Sequence, residues 1–128
     1  SMRLVPDQDP AEIGRLLKAY IAELTPPSVT VEVTVGHGAP ASITDFNIPA
    51  MQAAAKAYAT AFGQEPVFMR EGGSIPVVSQ FQSVLGLETV LMGFGLPGDQ
   101  IHAPNERFYL PNFYRGIETS IHFLQNLA

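Results

Sequence analysis

The amino-acid pattern predicts an α/β fold, a mostly parallel sheet covered by helices on both sides. Three observations carry this expectation. Helix-type and strand-type segments alternate along the chain. Two of the strand-type runs, residues 67–70 and 89–94, are almost continuously apolar, as strands buried on both faces are. A third, residues 29–35, alternates Val29, Val31, Val33 and Val35 with Thr30, Glu32 and Thr34, which predicts a strand with one buried face.

The elements follow in order. Ser1 to Pro6 reads as a short strand that begins at the first residue. Asp9-Pro10-Ala11-Glu12 is a helix start: an acidic N-cap, proline in the first turn and Glu12 at the capping-box position. Ile13, Leu16, Leu17, Tyr20, Ile21 and Leu24 then recur at helical spacing until Pro26-Pro27 ends the run. With its two flanking strands this helix makes a βαβ unit. Residues 36–41 carry turn residues and no periodicity, so they read as a linker. A second helix runs from Asn47 through Met51, Ala54, Ala55, Tyr58 and Phe62 to Gly63, its expected C′ residue. A third spans about 77–85 and closes on Gly86. Pro111 opens the last, with Phe113, Ile117, Ile121 and Leu124 on one face.

Composition narrows the function classes. The 128 residues suffice for one domain, and a net charge of −5 gives no basic footprint for nucleic acid. The absence of cysteine removes disulfides and thiolate metal sites and fits the cytoplasm. No apolar run is long enough to cross a bilayer as a helix. A mean hydropathy of +0.13, with only 15% charged residues, is apolar for so short a chain and implies surface that expects to be covered.

Two stretches carry candidate chemistry. In Arg70-Glu71-Gly72-Gly73-Ser74-Ile75-Pro76 a strand-type run meets a helix start. Paired glycines there permit positive φ and close approach of a ligand, and Ser74 falls near a helix N-terminus, where carboxylates and phosphates are favoured. A plain turn that needs glycine explains the same residues. In Ile101-His102-Ala103-Pro104-Asn105-Glu106 a histidine follows a strand-type run and a glycine-rich loop. Such a histidine serves as a metal ligand, a general base or a surface residue. His122, between Ile121 and Phe123 in the last helix, reads as a structural or surface residue.

Taken in order, Arg3-Leu4-Val5-Pro6, Gly36-His37-Gly38, Phe62-Gly63, residues 70–76 and His102 with Asn105-Glu106 resemble the zinc metallopeptidases of family 20. That family includes aminoacylases, carboxypeptidase G-like enzymes and cytosolic carnosine-type dipeptidases; the resemblance is to the dipeptidase branch. It implies that residues 1–40 are the second half of a ferredoxin-like lid and dimerisation domain and residues 41–128 the C-terminal part of the catalytic domain. It implies hydrolysis of a dipeptide or N-acyl amino acid by metal-activated water. The cofactor would be zinc, two ions in the full-length enzyme, with manganese as the alternative. The resemblance makes His102 one metal ligand, with Asn105 and Glu106 orienting it. It assigns substrate binding to Arg3, His37, Gly73 and Ser74, Arg3 and Ser74 gripping the substrate's C-terminal carboxylate; for His37 hinge packing is the equal alternative. No residue here matches the general base, which with the other ligands is expected in a missing N-terminal part. The isolated chain, which looks like a truncated product, is then expected to be inactive, and the full-length enzyme a cytoplasmic homodimer paired through the lid.

Two other readings compete. One is a non-catalytic module that keeps the dimerisation and carboxylate-binding surfaces. The other, ranked last, is a phosphate- or nucleotide-binding domain built on Gly72-Gly73-Ser74, for which no Gly-x-x-x-x-Gly-Lys pattern is present.

Overall fold

The computed structural model describes residues 1–71 and 75–128. Its regular elements are four helices, α1 (Pro10–Leu24), α2 (Pro49–Phe62), α3 (Pro76–Leu85) and α4 (Leu110–Leu127), with one 3₁₀ turn at Pro97–Asp99. None of the four is long and apolar enough to cross a membrane.

The helix boundaries follow local chemistry. Asp9 Oδ1 accepts the Glu12 N–H at 2.9 Å, which satisfies one of the orphan donors at the start of α1. Glu12 in turn takes Arg15 Nε at 2.7 Å, and that guanidinium holds the Glu12 carboxyl below its ordinary range. Proline stands in the first turn of every helix, where its missing N–H costs nothing. Gly63 and Gly86 end α2 and α3 in the left-handed conformation, at φ 72° and 65°, and each returns its N–H to a carbonyl of the last turn.

The sheet is where sequence and structure part. Among the described residues there is no strand and no sheet, so the expected α/β fold, with its parallel sheet and its βαβ half of a lid, is replaced by a helical one. The backbone hydrogen bonds outside the helices close turns, loops and caps; among the described residues none forms a ladder. Residues 1–6, 29–35, 67–70 and 89–94 are the four segments concerned. Their alternation or apolarity expresses a preference for a pleated, buried surface, but a strand exists only when a second strand accepts its N–H groups. Val67 and Met69 are 85% and 82% exposed, and Val29, Val31 and Val35 stand about half exposed.

The chain forms two compact units. The first joins Ser1–Ile43 to Arg70–Thr89, the second Thr44–Met69 to Val90–Ala128. In the first, the segment near Val35 and Gly38 lies against the N-terminal half of α1. A Cβ at Gly14 would stand 2.8 Å from Val35 Cγ1, and one at Gly38 would stand 2.5 Å from Pro10 Cβ, so a side chain at either glycine would force its neighbour to shift. In the same unit Gln82, on α3, donates to the Ile43 carbonyl at 2.9 Å and to Glu88 Oε2 at 3.1 Å.

The second unit is built on the pairing of α2 with α4. The buried residues of the two helices are small: Ala53, Ala54 and Ala57 on α2, and Asn112, Gly116 and Thr119 on α4. Small side chains let the helix backbones approach closely, and the buried polar groups are then satisfied at short range. Thr119 Oγ1 donates to the Arg115 carbonyl at 2.7 Å, and Asn126 Nδ2 reaches the Ala53 carbonyl at 3.0 Å. The apolar stripe of α4 expected to face the core, Phe113, Ile117, Ile121 and Leu124, is about half exposed or more. Periodicity identifies the faces of a helix, but close packing on an alanine-rich partner selected the small face. Rings fill the remaining space: Phe94 stacks on Tyr58 and Phe62 at centroid distances of 5.2 and 6.3 Å, and the Arg115 guanidinium lies 5.3 Å from the Phe62 centroid.

Candidate functional site, the His102 turn

The loop that carries His102 belongs to the second unit and begins where the Phe94 ring packs. Asn112 Nδ2 donates to the Phe94 carbonyl at 3.0 Å, which ties the start of the loop to the first turn of α4. The 3₁₀ turn at Pro97–Asp99 follows, then two tight turns in succession. The first closes with Ala103 N–H to the Gln100 carbonyl at 2.9 Å, the second with Glu106 N–H to the Ala103 carbonyl at 3.2 Å. Arg107 N–H then returns to the Asp99 carbonyl at 3.0 Å and shuts the loop.

Three non-glycine residues in this short span take left-handed backbone: Gln100 at φ 55°, His102 at φ 63° and Asn105 at φ 63°. Asparagine tolerates that region; for the others it costs on the order of 1 kcal/mol each. Such conformations persist where neighbouring bonds over-determine them, and they concentrate at functional sites. His102 is solvent-exposed at the tip, with Asn105 and Glu106 exposed beside it. Glu106 Oε2 accepts the backbone N–H of His102 at 3.3 Å. Its carboxylate thus engages the histidine's backbone and stabilises the turn.

The other expected site residues fall as follows. Arg3 and His37 are exposed and lie in the first unit. Gly73 and Ser74, the carboxylate-gripping part of the Gly-Gly-Ser stretch, lie outside the described residues. His122 is half-buried on α4, with Nδ1 3.1 Å from Gln125 Oε1 and Nε2 3.8 Å from Glu118, contacts of an ordinary helix surface. A catalytic zinc needs three protein donors. Among the described residues no three His, Asp or Glu side chains converge, so these residues alone do not house a metal, and His102 fits only as a single donor. The residue that sequence reasoning missed is Asp99, which is 2% exposed and organises the whole loop. Its signal was Pro97-Gly98-Asp99, a turn-type tripeptide whose acid could have been read as the turn's own hydrogen-bond acceptor.

The chain belongs to peptidase family M20/M25/M40, whose profile matches residues 4–126. It is 33% identical to the Cys-Gly metallodipeptidase DUG1 of Saccharomyces cerevisiae over 98% of its own length and 27% of the relative's. It is 28% identical to the human Beta-Ala-His dipeptidase over its full length and 26% of the relative's. The solved structure of the dipeptidase Dug1p from Saccharomyces cerevisiae superposes with a TM-score of 0.84 at 31% identity, over 95% of this chain and 26% of that one. The metallo-carboxypeptidase Sso-CP2 from Sulfolobus solfataricus superposes at 0.77, with 26% identity, over 95% of this chain and 28% of that one. The chain therefore spans about a quarter of the length of the relatives it matches.

Proposed function

We propose that this chain acts as part of a longer metal-dependent dipeptidase that hydrolyses the peptide bond of a dipeptide, or the amide of an N-acyl amino acid. The observation that carries the reading is the family match over residues 4–126, together with relatives whose names describe metallodipeptidases. Residues 1–40 serve as the portion that covers substrate and pairs two subunits, and residues 41–128 as the catalytic portion. His102 gives one donor to a divalent ion, with zinc the first choice and manganese the alternative. Glu106 and Asn105 hold its turn. The remaining donors and the general base come from other residues of the longer polypeptide. Bound in such a site, the ion supplies activation of water.

This chain's own residues supply binding and orientation. The Arg3 guanidinium forks onto the substrate's C-terminal carboxylate, and Gly73 and Ser74 offer N–H and hydroxyl groups to the same carboxylate. His37 contacts substrate from the linker. Holding the carboxylate at one end orients the substrate. The longer enzyme would work in the cytoplasm, a setting that the cysteine-free composition of these 128 residues fits.

The test is direct. The longer polypeptide, loaded with zinc or manganese, is expected to hydrolyse Cys-Gly or β-Ala-His dipeptides and to lose that activity with His102→Ala. Retained turnover in the variant would remove His102 from the metal. Absence of turnover with any dipeptide or N-acyl amino acid would leave a carboxylate-binding module.

A further inference from the structure

Asp99 stands outside every motif of the peptidase resemblance, yet its side chain and N–H bind the entry of the His102 loop while its carbonyl binds the exit. Its N–H donates to the Leu96 carbonyl at 3.0 Å, and its carboxylate Oδ2 accepts the Leu96 N–H at 2.7 Å. Its carbonyl accepts the Arg107 N–H at 3.0 Å, and Oδ1 lies 3.9 Å from Arg107 Nε. The side chain is almost fully buried, whereas the Arg107 side chain is 71% exposed. Solvent screens the charge pair, so the hydrogen bond to the Leu96 N–H is the stronger constraint.

Between these anchors run Gln100, His102 and Asn105, all at positive φ and none of them glycine. A free loop of this composition relaxes to ordinary φ values, which would turn the His102 side chain elsewhere. We infer that Asp99 is a positioning residue for His102: it closes the 96–107 loop so that the imidazole is presented before a metal arrives. The functional part rests on the reading of His102 as a metal donor. The closure itself rests only on the geometry of Leu96, Asp99 and Arg107.

Two measurements separate these parts. The first is hydrogen exchange by mass spectrometry on the 128-residue chain, comparing the parent with Asp99→Ala and Asp99→Asn. Asparagine keeps an oxygen for the Leu96 N–H, whereas alanine keeps none. Amides of residues 96–107 should exchange about tenfold faster in the alanine variant, the effect of losing one buried hydrogen bond. The asparagine variant should stay within about twofold of the parent, and α2 and α4 should keep their protection in both. Unchanged loop exchange in the alanine variant, equal loss in the asparagine variant, or equal loss across α2 and α4 would each overturn the closure.

The second measurement is zinc affinity of the longer polypeptide by competition with a chelator. Asp99→Ala should weaken it about tenfold, as loss of outer support for a ligand does, with Asp99→Asn near the parent and His102→Ala weaker still. Unchanged affinity in Asp99→Ala, with His102→Ala impaired, would overturn the positioning role. Unchanged affinity in His102→Ala would overturn the donor reading, and with it that role, while the exchange result would still decide whether Asp99 closes the loop.

Discussion

Gly116 and Phe94 meet face to ring: a Cβ on Gly116 would lie 3.1 Å from Phe94 Cδ2 and 3.2 Å from Cγ. The ring cannot yield easily, because it stacks on Tyr58 and Phe62. This contact sets how closely α4 approaches the segment that leads into the His102 loop.

Substitution at Gly116 should therefore test the seam. Alanine gains about 1 kcal/mol of helix propensity, but overpacking costs about 1–3 kcal/mol, so a net loss near 1 kcal/mol is expected. Valine adds branching and should lose about 3 kcal/mol. Ile117→Ser, on the exposed stripe next to it, should lose less than about 1 kcal/mol. Urea unfolding followed by circular dichroism measures all three. A valine variant as stable as the parent would show that the seam is loose.

Tyr58 adds a pH signature. Its hydroxyl donates to the Gly93 carbonyl at 2.9 Å, and burial pushes the phenol above its ordinary value. The unfolded chain then loses this proton first as pH rises. The contribution to stability is complete below the unfolded value of about 10 and is lost as pH climbs through the folded value. Unfolding midpoints measured from pH 8 to 11 should fall more steeply for the parent than for Tyr58→Phe. Parallel curves would place the phenol in an ordinary aqueous environment.

The 128-residue chain, purified alone, should retain no stoichiometric zinc and should not hydrolyse dipeptides. The motive is that among the described residues no three donors converge, and His102 is a single imidazole. Elemental analysis after gel filtration checks this. About one tightly held zinc per chain would mean that this chain assembles a site unaided.

In the longer polypeptide, Arg3→Ala and His102→Ala should separate binding from chemistry. Arg3→Ala should reduce kcat/KM for a dipeptide by about thirtyfold to several hundredfold, the equivalent of about 2–4 kcal/mol for a charge-assisted pair in a closed site. A dipeptide amide, which has no terminal carboxylate, should lose much less. His102→Ala should damage both substrates alike, because water activation does not depend on the substrate's tail. Equal losses for acid and amide with Arg3→Ala would make Arg3 structural.

The sequence by itself determined the features whose causes lie within a few residues. Asp9 before Pro10, glycine at 63 and 86, and proline at the helix starts mark the ends of α1, α2 and α3, because caps and left-handed stops are local bargains of the backbone. The family, too, was legible, since Arg3, Gly36-His37-Gly38, residues 70–76 and His102 with Asn105-Glu106 stand in one order along the chain. What required the tertiary structure was every feature that depends on a distant partner. Val29 to Val35 and residues 67–70 carry strand patterns, yet the ladder that would make them strands is a relation between segments, and among the described residues it is absent. The apolar period of α4 pointed to Phe113 and Ile117, whereas the helix docks through Asn112, Gly116 and Thr119, because α2 offers alanines that reward close approach. The sequence pattern did not single out Asp99. Only folding brings Arg107 to it, across a loop in which His102 stands at positive φ.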